Sequence, residues 1–201
     1  MQSKMDVKTR VQKLIDTLED NLKNKIIPFW NNTVDHEYGG FYGYVGQDLK
    51  ANKYCDKGSV KMARILWAYS ALANHYGNGL FINYAEIAYN YLVDCLYDQM
   101  HKGVFWKSSY DGNIINDTKH IYAQSFAIYG LCEYYLATKQ KDAINLALEI
   151  YDFIEQKAYC KEKKGYYEQF SAGWEKQKNK LLANCFIVPT FTYNTILRYF
   201  F

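Results

Sequence analysis

The chain has 201 residues, of which 49% are hydrophobic and 22% charged, a composition that excludes disordered and collagen-like proteins. Its 24 Lys and Arg residues against 21 Asp and Glu give a net charge of +3, so we expect no nucleic-acid partner and no strong attraction to a membrane surface. No apolar run approaches membrane-spanning length, and we expect a cytoplasmic protein. Its five cysteines form an odd set without CxxC spacing, which argues against a disulfide framework or a zinc knuckle.

Five helices are predicted, because the chain has only two prolines and its apolar residues recur at helical spacing. In the second and the fourth, apolar residues cover nearly the whole circumference, so both are expected to be buried. The third and the fifth carry a polar residue every three or four positions and are expected to lie outside. The predicted helices span about 6–30, 57–76, 81–97, 118–137 and 142–157.

The alternation of buried and surface helices is also an internal repeat. Gly40, Gly103 and Gly165 each precede aromatic residues and stand 63 and 62 residues apart. Between them, ARILWAYSAL from Ala63 aligns with AQSFAIYGL, which matches Tyr129 to Tyr69 and predicts core packing for Tyr129. Units of this kind bury themselves only against neighbours. A closed double ring of helices, an (α/α) barrel, fits the two layers better than an open α-solenoid does.

Several side chains in the apolar helices are candidates for a site. Arg64 is a lone charge in the second helix, so it either pairs with a carboxylate or lines a wet cavity. Trp67 and Tyr122 are among the aromatic residues that could stack on sugar rings, with core packing as the alternative. Asp117 is expected to cap the fourth helix, and His120 to be a structural hydrogen-bonder. No phosphate loop, nucleophile elbow, metal-ligand spacing or glycosidase carboxylate pair is identified.

These residues lie in strings that resemble the N-acylglucosamine 2-epimerase family, and within it most closely the cellobiose 2-epimerases. The resemblance implies an all-α (α/α)6 barrel. It runs through most of residues 26–170 in the family's order. The matching strings are IIPFW (26–30), GGFYGYV (39–45), DKG (56–58), RILWAYSA (64–71), GVFW (103–106), DTKHIYAQSFAIYGL (117–131) and GYYEQF (165–170).

The resemblance implies a reaction that converts a reducing-end glucose unit of a small sugar to its C2 epimer. The sugar ring opens, a histidine removes the C2 proton to give a cis-enediolate, and a proton returns on the other face. Arg64 would stabilise the enediolate, and Tyr122 and Asn194 would contact the sugar. Arg198 stands where the family has a histidine on the same helical face. No metal and no organic cofactor is implied.

Chain length limits what this resemblance predicts. Six units of about 62 residues need roughly 370 residues, and this chain supplies about three. We therefore expect residues 1–201 to be the N-terminal half of a single (α/α)6 domain, from a truncated product or a piece of a longer enzyme. The family's two proton-transferring histidines would lie beyond Phe201, so the chain is expected to be inactive alone.

Alternative functions stay open at this point. They are a mannose isomerase-like enzyme, an N-acylglucosamine 2-epimerase, a non-catalytic carbohydrate-binding module of helical repeats, and an (α/α)6 glycoside hydrolase.

Overall fold

The structure, a computed structural model, describes residues 6–77 and 79–176. The chain divides into two compact units, Met1–Val34 and Asp35–Phe201. In the first unit, α1 (Val7–Asn21) continues through a π-helical turn (Leu22–Ile26) into α2 (Ile27–Asn31). Pro28 lies in the first turn of α2, where its missing N–H costs no hydrogen bond. The helix predicted over about 6–30 is confirmed.

The described part of the second unit contains two helix pairs. Its helices are α3 (Ser59–Tyr76), α4 (Gly79–Tyr91, extended by the π-helical turn Leu92–Leu96), α5 (Ile121–Thr138) and α6 (Lys141–Lys157). α3 packs against α5, and each of these two packs against the helix that follows it. The polar residues of α4, among them Asn83, Glu86 and Asn90, are exposed as predicted. The two-layer order of inner and outer helices is confirmed.

Close contact between the two inner helices depends on Gly130. A Cβ atom at this position would lie 2.6 Å from the carbonyl oxygen of Ala63, well inside van der Waals contact. The absence of a side chain therefore lets α5 approach the backbone of α3 directly.

In residues 6–77 and 79–176, nine strands of two or three residues form small antiparallel sheets in the loops that join the helices. β1 (Tyr44–Val45) pairs with β2 (Ala51–Asn52), and β7 (Tyr159–Cys160) pairs with β8 (Gly165–Tyr166). β3 (Lys57–Gly58), β4 (Lys107–Ser108) and β5 (Ile114–Asn116) form a three-stranded sheet. β6 (Lys119–His120) pairs with β9 (Gln169–Phe170).

These strands correct the predicted starts of both inner helices. Lys57 pairs with β4 and Lys119 with β9, so α3 begins at Ser59 and α5 at Ile121 rather than at 57 and 118. The N-cap of α5 is His120. The prediction that Asp117 caps this helix is therefore wrong.

The repeat has a different register from the one predicted. α3 and α5 each have 18 residues and begin 62 residues apart, so Trp67, not Tyr69, corresponds to Tyr129. Tyr69 is buried, whereas Trp67 and Tyr129 are both half-buried. The match of Tyr129 to Tyr69, and the core position expected from it, are wrong.

No helix among the described residues combines the length and the apolar content that a membrane span needs.

Candidate functional site

α3 and α5 each leave one stripe of side chains uncovered. On α3 the stripe includes Arg64 and Trp67, and on α5 it includes Tyr122, Phe126 and Tyr129, at the i, i+3 or i+4 spacing of one helical face. Arg64 is exposed and the four aromatic side chains are half-buried. We call these five residues the aromatic face.

The rings of the aromatic face contact one another across the two helices. Trp67 stacks on Tyr129 with ring centres 4.9 Å apart and planes 15° from parallel. Phe126 meets the rings of Tyr122 and Tyr129 edge to face, at 4.8 and 6.5 Å. Offset stacks and edge contacts are the favoured geometries of aromatic pairs. The contacts hold the rings in a fixed surface that keeps part of each ring accessible.

The guanidinium of Arg64 belongs to the same surface. Its Cζ atom lies 5.7 Å from the centre of the Phe126 ring, within cation–π range. Among the described residues, no carboxylate forms an ion pair with it. Because Arg64 is exposed, its charge does not require a buried carboxylate partner.

The loop between α4 and α5 contacts the starts of both inner helices. The carbonyl oxygen of Trp106 accepts the backbone N–H of Ser59 at 3.1 Å, at the first residue of α3. The Trp106 ring lies 4.1 Å from the imidazole of His120, directly before α5. His120 makes no side-chain cap bond to the helix. These contacts place the rings of Trp106 and His120 at the starts of α3 and α5, the end of the inner helices at which Tyr122 lies.

Two buried ion pairs, absent from the sequence-based prediction, hold the same helix starts. Lys57 Nζ donates to Asp35 Oδ2 at 2.6 Å, and Lys119 Nζ donates to Asp98 Oδ2 at 2.7 Å. All four side chains are buried. Each lysine lies two residues before an inner helix, and each aspartate lies in the loop that precedes that lysine. The pairs therefore attach each loop to the inner helix that comes after it.

The loops of the two aspartates have the same hydrogen bonds. Asp98 Oδ1 accepts the N–H groups of Met100 and His101, as Asp35 Oδ1 accepts those two and three residues further along its own loop. Burial alone would raise the pKa of Asp98, but the Lys119 hydrogen bond and the backbone N–H groups outweigh it and hold that pKa below the usual range. The pKa of Asp35 is lowered in the same way: burial would raise it, but the Lys57 hydrogen bond and the backbone N–H groups outweigh burial. The sequence repeat could have revealed that the two aspartates are equivalent, because Asp35 and Asp98 precede Gly40 and Gly103 by five residues each.

An open cavity of about 590 Å³ lies beside Asp98. Its lining includes His101, Phe105 and Asp117. His101 Nδ1 is 3.3 Å from Asp98 Oδ2. Asp117, which we expected at the start of α5, instead contributes an exposed carboxylate to this cavity.

Two candidate residues, Asn194 and Arg198, lie outside the described residues. Residues 6–77 and 79–176 contain no group of three or more His, Cys, Asp or Glu side chains that could hold a metal ion.

Comparison with known proteins identifies the family. A family model described as N-acylglucosamine 2-epimerase matches residues 39–188. A cellobiose 2-epimerase of Dictyoglomus turgidum is 42% identical over 178 residues, which are 89% of this chain and 45% of that protein. The structure of cellobiose 2-epimerase from Bacillus thermoamylovorans superposes with a TM-score of 0.87 at 32% identity, over 93% of this chain and 51% of that one. A D-mannose isomerase structure has a TM-score of 0.72 at 17% identity, over 88% and 45% of the two chains, and shows likeness of fold alone.

These comparisons confirm the expected (α/α)6 barrel class. The chain spans about half the length of the curated relatives it matches. The chain belongs to the N-acylglucosamine 2-epimerase family.

Proposed function

We propose that this chain provides the substrate-binding and enediolate-stabilising side of a sugar 2-epimerase of the cellobiose type. The observation that supports it best is Arg64. Its guanidinium is exposed, lies 5.7 Å from the centre of the Phe126 ring and has no ion-pair carboxylate partner among the described residues. An accessible cation beside aromatic rings suits a ligand with apolar ring faces and an oxygen that becomes negatively charged.

The chemistry needs such a cation at one step. In the ring-opened sugar, a base takes the proton from C2, the C–H electron pair forms the C1–C2 double bond, and the carbonyl electron pair moves to O1. The product is an enediolate, which becomes the epimer when a proton returns to the opposite face of C2. Arg64 donates N–H groups to the enediolate oxygens and stabilises the charge as it forms.

The aromatic face orients the sugar for this step. Trp67 and Tyr129 offer flat, partly accessible rings, and the Tyr122 ring is held by Phe126. We assign sugar contacts to Trp67 and Tyr122, and we keep Asn194 and Arg198 as proposed contacts from the third inner helix of the family pattern. The ligand is a small sugar, with cellobiose as the first to test.

Binding of cellobiose, measured by calorimetry, tests the role of Arg64. We expect Arg64→Ala to weaken binding about 10- to 100-fold, the range for losing a charge-assisted hydrogen bond. Arg10→Ala is the matched control, because Arg10 is an exposed arginine of α1, and it should leave the affinity unchanged. Binding that survives both Arg64→Ala and Tyr122→Phe would favour a non-catalytic carbohydrate-binding module instead.

Turnover is a separate measurement. No residue of this sequence matches the two proton-transferring histidines that the resemblance implies, so we expect the 201-residue chain to bind cellobiose without forming its epimer. Solvent deuterium entering C2, followed by NMR, is the sensitive readout because it reports each enediolate that forms. Deuterium at C2, or epimer detected by chromatography, would show that the chain has its own proton-transfer groups.

We also propose a cytoplasmic location. The four described cysteines, Cys55, Cys95, Cys132 and Cys160, are free thiols, as is usual in a reducing compartment. Fractionation of the source cells checks this location, and recovery of the protein outside the cytoplasm would contradict it.

A further inference from the structure

One face of α1 carries a row of apolar side chains that no other part of the described chain covers. They recur at spacings of three or four residues, which places them on one side of the helix. Each is at least 43% exposed, and no residue of α1 is buried. The side chains are those of Val7, Val11, Leu14, Ile15 and Leu18. We call these five residues the α1 stripe.

The α1 stripe is large enough to form an interface. Its residues together expose roughly 500 Å², near the upper end of the apolar patches that a monomeric protein leaves open. Two such stripes facing each other would bury roughly 1,000 Å², the area at which specific protein–protein interfaces begin. The charged side chains beside the stripe would add to this area.

Charged residues divide α1 into two halves of opposite sign. All of them are exposed, and none of the basic ones forms an ion pair among the described residues. The first half of the helix carries Lys8, Arg10 and Lys13, and the second half carries Asp16, Glu19 and Asp20. The basic half therefore lacks a charge partner within the described chain.

This order of charges opposes the helix dipole. Acidic side chains stabilise the start of a helix and basic side chains its end. The first turn of α1 contains no acidic residue, and its last turn contains no basic one. The arrangement weakens α1 as an isolated helix. A partner with the opposite order of charges would offset this loss.

A second α1 in the antiparallel direction has that opposite order. Antiparallel pairing places the basic half of each helix beside the acidic half of the other, while the two stripes face each other. Parallel pairing would place like charges side by side, which is unfavourable. A surface that complements itself under a twofold rotation is what a symmetric homodimer requires.

We propose that α1 is a dimerisation helix, and that the partner it fits is the antiparallel α1 of a second copy of this chain. The α1 stripe forms the apolar centre of the interface, and the two sets of opposite charges form its edges. The interface uses no residue of the aromatic face, so it is independent of the proposed function.

Sedimentation velocity of the 201-residue chain over a range of concentrations tests the dimer. We expect a reversible monomer–dimer equilibrium. Leu14→Glu, in the middle of the stripe, should weaken association at least about 30-fold, because it places a charge against the apolar side chains of the other copy. Leu49→Glu is the matched control, since Leu49 is a 73% exposed leucine in the turn between β1 and β2. It should leave association unchanged.

Charge reversal tests the pairing of the two halves. The triple variant Lys8→Glu, Arg10→Glu and Lys13→Glu has an acidic α1, and the triple variant Asp16→Lys, Glu19→Lys and Asp20→Lys has a basic one. Both should keep the helix, because acidic residues at its start and basic residues at its end suit the dipole. Each variant should be monomeric alone, and an equimolar mixture of the two should form a heterodimer.

Salt dependence tests the direction of pairing in the unmodified chain. A tenfold rise in salt from about 50 mM should weaken an antiparallel dimer, because it screens the opposite charges that lie side by side. Stronger association at high salt would indicate contact between like charges and would overturn the antiparallel arrangement.

Three other outcomes overturn the dimer itself. They are a chain that stays monomeric at every concentration, a dimer that Leu14→Glu leaves intact, and a monomer whose α1 becomes protected from hydrogen exchange only when a different protein is added. Thermal unfolding followed by circular dichroism verifies the fold of each variant. The exposure of Leu14 leaves little packing to lose.

Discussion

The buried pair of Asp98 and Lys119 offers the sharpest test of how the inner helices are held. Lys119 is fully buried, Asp98 is 5% exposed, and Lys119 Nζ lies 2.7 Å from Asp98 Oδ2. Lys119→Met keeps the length of the side chain and removes the charge. Asp98 then retains the N–H groups of Met100 and His101. We therefore expect a loss of about 3 kcal/mol in the free energy of unfolding, at the low end for a broken buried pair.

Removing the carboxylate instead of the lysine should cost more stability. In Asp98→Ala the Lys119 ammonium remains buried between the rings of Phe105 and Trp174, 5.5 and 5.4 Å from their centres, and loses its carboxylate. We expect a loss of about 4 kcal/mol, because rings alone compensate a buried cation poorly. The double variant leaves no unpaired charge, so its loss should be smaller than either single loss, about 2 kcal/mol, which corresponds to a coupling of about 5 kcal/mol.

Urea unfolding followed by circular dichroism measures these free energies, with equal m-values required across the set. The exposed pair Lys107 and Asp56, 2.8 Å apart, is the control, and Lys107→Met should cost less than about 1 kcal/mol. If the two single losses at Asp98 and Lys119 add fully in the double variant, the side chains are not coupled and the reasoning fails.

Two further predictions concern stability. The pKa values of Asp35 and Asp98 lie below the usual 3.8, so their stabilising contribution is complete above about pH 4 and is lost as the pH falls through the lower, folded-state values. Thermal unfolding against pH should show this acid loss, and Asp98→Asn should reduce its slope; an unchanged slope would exclude Asp98 as a source. Gly130→Ala should destabilise the protein by about 1 to 3 kcal/mol through overlap with Ala63, despite the higher helix propensity of alanine. Urea unfolding checks the sign, and a stabilised variant would contradict the close approach of α3 and α5.

Helical periodicity predicted the five helices over about 6–30, 57–76, 81–97, 118–137 and 142–157 well, because their apolar positions are set by the local repeat of the helix itself. The starts of α3 and α5 were misplaced because Lys57 and Lys119 belong to strands whose partners, β4 and β9, lie about 50 residues further along the chain. Pairing over such a distance leaves no mark in a local pattern. The wrong placement of Asp117 has the same cause.

The candidate site could be predicted in part. Arg64 was identified because a charge in an apolar helix stands out, and the structure leaves it exposed. The partner of Trp67 was missed because the alignment relied on identical letters, whereas the structural match is between Trp67 and Tyr129, which are alike only as flat rings. Equivalent positions of the repeat therefore both carry an aromatic ring, but the type of aromatic residue differs between them.

The buried aspartate–lysine pairs could not have been found from composition, because charged residues in loops are expected to be exposed. Each pair joins residues that are 21 or 22 positions apart. Only the three-dimensional path of the loop, with its turn closed by backbone N–H groups on the aspartate, brings the two charges together. The two pairs have similar but not identical spacings in the sequence, 22 and 21 residues, so they are recognised as equivalent only in the structure.

The third unit of the repeat supports this account of the pairs. Cys160 stands 62 residues after Asp98, and its Sγ atom receives a hydrogen bond from the Tyr167 hydroxyl and from the N–H groups two and three residues further on, which lower the pKa of the thiol. A side chain that accepts the N–H groups two and three residues further on therefore recurs in all three loops, at Asp35, Asp98 and Cys160.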